Sequence, residues 1–267
     1  MSSFRTIVLS CGDLGVLVAN ALKADGASEV VGLVVAPFDR RPPKTLRAKF
    51  RHVIRRQGWR GLFAVMGAKI ASLAHLRSPQ GAVPAVALSP GIKRFDVTDF
   101  HAPECLSILE ELRPDLAILA GTYILKESVF ALPRYGSINL HSGKVPEYRG
   151  AAPAFWELYH GEKAVGVTIH RVDAALDAGP ILAEEMFPID PAPGGDPLVY
   201  IEQFRQKVLG PNGVRMIVET VRSLADGTAK ERQQNHAVAR TFRSPDYRAV
   251  RELRSRVSAR RRGGGTK

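Results

Sequence analysis

An α/β fold organised around a parallel sheet is predicted by three observations. RTIVLSCG (5–12) and EVVGLVVAP (29–37) are β-branched apolar runs closed by Gly or Pro. Between them, DLGVLVANALKADG (13–26) places Leu14, Leu17, Val18, Ala21 and Leu22 on one helical face and stops at Gly26. Strand, helix and strand in that order form a β-α-β unit, whose two strands lie parallel in one sheet. The 267 residues suffice for one large α/β domain, or for one domain with an appendage.

The elements follow in order. Residues 40–76 are basic, then apolar, with helical character interrupted by Gly58, Gly61 and Gly67. Residues 78–98 are Pro/Gly-rich and predict a loop with a short strand. ECLSILEELRP (104–114) is an amphipathic helix stopped by Pro114, and DLAILAGT (115–122) is a strand ending in Gly and Thr. ILKESVFALP (124–133) reads as a short helix or turn, and GSINLH (136–141) as the next strand. VGVTIHRVD (165–173) alternates Val165, Val167 and Ile169 with Thr168 and His170, which predicts a half-exposed or edge strand. PILAEEMFPI (180–189) is a later strand. Residues 198–227 read as two helices, or one helix broken at Gly210-Pro211. The expected division is a domain over 1–197, with the basic insertion at about 40–76, and a helical extension over 198–267. The tail is expected to be disordered from about residue 258.

Charge is unevenly placed. The formal net charge is +12; residues 40–60 hold nine Lys/Arg and no acid, and residues 240–267 hold ten basic and two acidic side chains. Two such segments suit phosphate-bearing partners or an anionic surface, and suit equally well two solvated faces. No apolar run approaches the roughly 18 residues of a membrane span. The first residues, MSSFRTIVLSCG, read as a first strand rather than a signal peptide. Cys11 and Cys105 are far apart and lack metal-ligand spacing, which fits a reducing, cytoplasmic setting. CGDLG (11–15) lacks the GxGxxG spacing of a dinucleotide site, and Pro37 and Phe38 precede Asp39 where an acid would close the second strand.

The stretch INLHSGKVPEYRGAAPAFW (138–156) carries the functional signal. Asn139 and His141 are two apart on one strand and therefore share a face. Asp177 lies in VDAALDAGP, between two later strands. The carboxyl ends of strands are where open α/β sheets bind ligands. An Asn amide donates to a developing oxyanion, a His donates or moves a proton, and an Asp orients that His or takes a proton through water. No Cys or Ser is set up as a nucleophile, and no second His stands at zinc-ligand spacing, so no metal is expected. The set suits acyl transfer to an external nucleophile without a covalent enzyme adduct. Each residue also has a plain structural reading: a satisfied strand-end histidine, a capping Asn and a turn-forming Asp.

INLHSGKVPEYRGAAPAFW followed by GEKAVGVTIHRVDAALDAGPIL resembles the folate-dependent formyltransferase family. The likeness runs from about Leu112 to Leu182 and continues more weakly through the N-terminal strands and 213–227. Asn-x-His paired with Leu-Asp-x-Gly is specific as a combination. The resemblance implies a Rossmann-like parallel sheet of the formyltransferase type and 10-formyltetrahydrofolate as donor. It implies Asn139, His141 and Asp177 as the catalytic set. It places the donor's pterin against GTYIL (121–125), with Tyr123, Ile124 and Leu125 on one side. The loop at 173–178, with Asp173, Ala174 and Leu176, forms the other. Ile124 and Leu125 are equally suited to a plain core. Ser142, Gly143, Lys144 and Arg149 are the expected acceptor-side residues; Lys144 stands where the family often has an apolar residue.

The expected acceptor is a small-molecule primary amine, first of all an amino group on a nucleotide-linked sugar. Methionyl-tRNA is the alternative. About 70 residues follow Val199 and read as helices and a basic tail, without the strand series of the barrel domain that the tRNA enzymes carry. Hydrolysis of 10-formyltetrahydrofolate and a non-catalytic basic binding module are further readings, and a homodimer through the C-terminal helices is a further expectation.

Overall fold

The computed structural model describes residues 3–38 and 86–263. The basic helical stretch expected over 40–76 lies outside the described residues. Strands β1 (Arg5–Ser10), β2 (Glu29–Val35), β3 (Arg94–Asp96), β4 (Leu116–Ala120) and β5 (Ser137–His141) run parallel. After the two-residue β6 (Arg149–Gly150), β7 (Ala164–Arg171) returns antiparallel to β5, and β8 (Ile181–Pro188) antiparallel to β7. The seven-stranded sheet has the order β3-β2-β1-β4-β5-β7-β8. It is the expected Rossmann-like sheet with an antiparallel end.

Strand periodicity sends alternate residues to opposite faces, and both faces are covered. Val8, Leu116 and Ile118 belong to one core; Ile7, Leu9, Ala117 and Leu119 to the other. The first core is closed by α1 (Asp13–Asp25), α4 (Phe155–His160), α5 (Pro197–Phe204), α6 (Gly210–Ala225) and α7 (Tyr247–Gly263). The second is closed by α2 (Pro103–Leu112), α3 (Glu127–Phe130) and Phe100. Helix α1 ends as its sequence requires: Gly26 adopts φ 75°, and its N–H reaches the Leu22 carbonyl. Among the described residues, no helix is long and apolar enough to cross a membrane.

Three expectations are corrected. Strand β7 is not half-exposed: six of its eight residues are buried between β5 and β8. Its polar alternates turn toward protein groups instead of water. Thr168 Oγ1 donates to the Gly143 carbonyl at 2.8 Å, and His170 meets Asn139. The edge strand at that end of the sheet is β8. Second, Gly210-Pro211 does not break the helix. Arg205–Leu209 form a π-helical turn that joins α5 to α6, a register change that accommodates the missing Pro N–H. Residues beyond 198 share the sheet's own core, with Ile201, Phe204, Met216, Ile217 and Val221 in the cluster that holds Val8.

Third, the tail is helical through Gly263 rather than disordered from 258, with Leu253 and Val257 buried. Its arginines explain why. Arg260 donates to the carbonyls of Leu158 (2.7 Å), Tyr159 (2.8 Å) and Pro191 (3.2 Å), which cap the end of α4. Arg261 donates to Pro193 and Gly195, Arg254 pairs with Asp196 at 2.8 Å, and Arg256 lies over the Tyr159 ring. Part of the charge that reads as a polyanion attractor, that of Arg254, Arg260 and Arg261, is thus tied to backbone carbonyls and to Asp196. Arg260→Ala is expected to destabilise by about 1–2 kcal/mol, a charged hydrogen-bonded group discounted for its partial exposure. Thermal melting should show a drop of a few degrees, whereas the exposed Arg262→Ala should leave the melting temperature within about one degree.

Candidate active site

Strand β5 carries Asn139 and His141 to its carboxyl end, where β7 runs alongside in antiparallel register. That register sets Asn139 opposite His170 and His141 opposite Thr168. The Asn139 amide nitrogen lies 3.2 Å from His170 Nε2. His170 Nδ1 lies 2.7 Å from the Arg171 carbonyl, which only accepts, so Nδ1 carries the proton and Nε2 receives the Asn139 amide. His170 thereby fixes which way the Asn139 amide points.

Asp177 joins this pair to His141. Its carboxylate is 3.7 Å from His141 Nδ1 and 3.6 Å from His170 Nε2. The Gly150 N–H donates to the same carboxylate at 2.8 Å. Asp177 adopts a left-handed backbone (φ 49°), the conformation that a short polar side chain tolerates best. Gly150, at φ 95°, is required: a Cβ there would lie 2.2 Å from the Phe242 carbonyl oxygen. Burial alone would raise the Asp177 carboxyl, but the two neighbouring imidazoles, His170 and His141, together with the Gly150 N–H, outweigh it and hold it down to about 2.

His141 is buried, and burial lowers its pKa against the opposing pull of Asp177 and the Tyr148 carbonyl. Its Nε2 lies 2.7 Å from that carbonyl and therefore carries a proton. In the neutral ring the Nδ1 lone pair then faces the Asp177 carboxylate. A proton that arrives at Nδ1 converts that repulsion into an ion pair. Gly143 allows the close packing, since a Cβ would lie 2.6 Å from His141 Nε2.

A strap from the C-terminal part locks the set. Gln234, buried, donates to the carbonyls of Asp177 (2.9 Å) and Gly179 (2.7 Å), and accepts from Arg149 at 2.6 Å. Strand β9 (Thr241–Phe242) pairs with β6, and Phe242 stacks on Trp156 and Tyr148.

The expected residues do not all converge. Asn139, His141 and Asp177 come together. Arg149 lines a small cavity beside His141, but its guanidinium is turned to Gln234 and His236. Ser142 lines the same cavity. Lys144 lines a separate, larger cavity and pairs with Glu147 at 2.6 Å. Tyr123 donates to Asp99 at 2.8 Å and accepts from the Phe100 N–H at 2.7 Å. Leu125 is core, whereas Ile124 is 69% exposed. Asp173 caps the Ala174 N–H at 2.6 Å, and both are exposed on the loop that ends at Leu176, itself 38% exposed.

Sequence reasoning missed His170 and Gln234. The His170 signal was present: on a strand paired with Asn139 and His141, polar alternates face a site as readily as they face water. Gln234 lies in an irregular polar stretch that carries no signal. Neither cysteine joins the set; Cys105 sits in the second core, where burial pushes its thiol up to about 11. The arrangement offers an amide donor, an imidazole beside a buried carboxylate, and no side-chain nucleophile. It can stabilise charge on an oxygen and move a proton for a nucleophile supplied from outside.

The Formyl transferase family model matches residues 56–207, more than half of the chain. The chain is 34% identical over 150 residues to methionyl-tRNA formyltransferase of Agathobacter rectalis, covering 56% of this chain and 46% of that one. It is 34% identical over 158 residues to the Thermotoga maritima enzyme of the same name, covering 59% and 48%. The chain thus spans about half the length of the curated relatives it matches. Among solved structures, a sugar N-formyltransferase from a Shewanella species shares the fold at TM-score 0.58 and 13% identity, covering 95% of this chain and 87% of that one. Glycinamide ribonucleotide transformylase 1 from Symbiobacterium toebii does so at TM-score 0.56 and 20% identity, covering 87% and 95%. Asn139, His141 and Asp177 all fall within the matched segment, and by that match the chain belongs to the formyl transferase family.

Proposed function

We propose that this protein transfers a formyl group from 10-formyltetrahydrofolate to a primary amine, and that the amine is carried by a nucleotide-linked sugar. The observation that carries the reading is the Asn139–His170–Asp177–His141 constellation: oriented donors and a proton site with no protein nucleophile among them. The donor supplies an activated formyl carbon. Exposed Ile124 and Leu176 offer it apolar side chains that a flat ring would cover. Asn139, with its amide aimed by His170, donates to the oxygen on which negative charge develops. His141 accepts the amine's proton at Nδ1, and Asp177 balances the charge that this creates. The protonated imidazole then adds a second stabilising charge for the same oxygen; as the tetrahedral adduct collapses, the bond from the formyl carbon to N10 breaks and the proton passes from His141 to N10 of the departing tetrahydrofolate.

Two acceptor readings stand. The curated relatives act on methionyl-tRNA by name, which favours that acceptor. Against it, three of the seven arginines of α7, namely Arg254, Arg260 and Arg261, are held by Asp196 or by backbone carbonyls, which restricts their reach toward phosphates. The sugar reading is therefore preferred, in a cytoplasmic setting where folate donor and nucleotide substrates meet. Transfer from 10-formyltetrahydrofolate should be measured on 3-amino and 4-amino dideoxysugar nucleotides, methionyl-tRNA and glycinamide ribonucleotide, with His141→Ala as control. Formylation of an amino-sugar nucleotide, lost in the control, is the expected result. Turnover of methionyl-tRNA alone would replace the acceptor, and donor hydrolysis without any acceptor would move the protein to the hydrolase class.

A further inference from the structure

Beside the small cavity at His141 lies a larger one, of about 480 Å³. The two share Tyr148 and Glu157 as lining residues. The size is that of a site for a small organic ligand. The polar groups of the larger cavity are incompletely satisfied. Glu147 Oε2 is buried without a hydrogen-bond partner. Arg240, whose backbone N–H goes to the Pro146 carbonyl, lines the cavity with an exposed side chain that forms no ion pair among the described residues.

Glu157 is the unusual member. It is 2% exposed, and it stands in the first turn of a six-residue helix. No cation pairs with it among the described residues. Its carboxyl accepts only the backbone N–H groups of Ala154 and Glu157 itself, and the neighbouring Glu162 adds like charge. Carboxylates are almost never buried in this way without a partner. Glu157 therefore lacks a cation, since Lys144 in the same cavity is engaged by Glu147, and exposed Arg240 stands as a cation without an ion-pair partner among the described residues.

We infer that this cavity receives the acceptor as a zwitterion, Glu157 taking the primary ammonium at the end nearest His141 and Arg240 taking a phosphate of the nucleotide. The inference rests on the formyl-transfer reading for its term "acceptor", but the binding it describes does not. A neutral Glu157 costs little in the empty cavity; an arriving ammonium makes its carboxylate the favoured form, and that carboxylate takes one proton from the ammonium before attack, which frees the nitrogen lone pair.

The test is calorimetric titration with two probes: a dTDP-linked 4-amino-4,6-dideoxyglucose and dTDP-linked 6-deoxyglucose, which carries a hydroxyl in place of the amine. Wild-type protein should prefer the amine by about tenfold or more, the size of one charge-assisted bond. Glu157→Gln, near-isosteric and checked for folding by thermal melting, should abolish that preference and leave the hydroxyl probe unchanged. Arg240→Ala should weaken both probes about equally, by roughly tenfold. An amine preference that survives Glu157→Gln overturns the inference, as does failure of both probes to bind wild-type protein at millimolar concentration. Amine preference without any formyl transfer would keep the cavity assignment and sink the catalytic reading. Formyl transfer with an unaltered acceptor KM in both variants would do the reverse.

Discussion

Asp177→Asn is expected to lower formyl transfer by about 10³-fold while the protein stays folded. The size follows from the two effects it removes, a proton-transfer partner and the fixed negative charge that balances the imidazolium formed at His141. Asn keeps the shape and an oxygen for the Gly150 N–H, so the loop at 173–178 retains its anchor. What goes is the negative charge 3.7 Å from His141 Nδ1 and 3.6 Å from His170 Nε2. The stability cost has a defined sign. The folded carboxyl titrates at about 2, below its ordinary value, so the ionised form is favoured in the native state. That contribution, about 2 kcal/mol, is fully present above the unfolded value near 4 and is lost as pH falls through 2. At neutral pH the variant should therefore melt a few degrees lower. Saturating donor binding with a normal circular-dichroism spectrum and a collapsed turnover is the outcome that assigns Asp177 to the chemistry. Wild-type turnover in Asp177→Asn would remove it from the catalytic set and leave Asn139 and His141 without their common partner.

The parts of this fold legible in the sequence are those where local chemistry and tertiary context agree. Strands β1, β2, β4 and β5 are apolar on both faces because both faces are covered, and α1 ends on a glycine that needs a positive φ. Strand β7 was misjudged because alternation reports only that two faces differ, not what each face meets. His170 is polar because it lies opposite Asn139, not because it lies opposite water. The tail was misjudged for a related reason. A run of arginines is read as solvated unless the carbonyls that receive them are known, and Leu158, Tyr159 and Pro191 lie about 70 to 100 residues away in the chain. Asn139, His141 and Asp177 were singled out because their spacing resembles a family. Gln234 and Glu157 were not, since only the folded arrangement places Gln234 under Asp177 and Glu157 between two cavities.

Glu157→Gln should stabilise the protein above neutral pH by about 3 kcal/mol, a gain unusual for a substitution at a buried polar position. Burial is the main cause that raises this carboxyl to about 7, against the pull of the Ala154 and Glu157 N–H groups, with Glu162 adding to the rise. A carboxyl raised on folding binds more protons in the native state than in the unfolded one. Its contribution is present below the unfolded value near 4.5 and is lost as pH climbs through 7. Wild-type stability should accordingly fall across that window, while the Gln variant, which cannot ionise, should lose that part of the slope. Denaturant midpoints at pH 5, 6, 7 and 8 measure this directly: the two proteins should converge at the acid end and separate steadily toward pH 8. Parallel curves would mean that Glu157 is ionised or neutral in both states alike. Asp177 makes the contrast physical. Both carboxyls are largely buried, but Asp177 faces two imidazoles while Glu157 faces only backbone N–H groups and another acid. A fold that retains a carboxyl it would be more stable without holds it for something other than stability, and the proposed acceptor's ammonium is the cation that would repair the deficit.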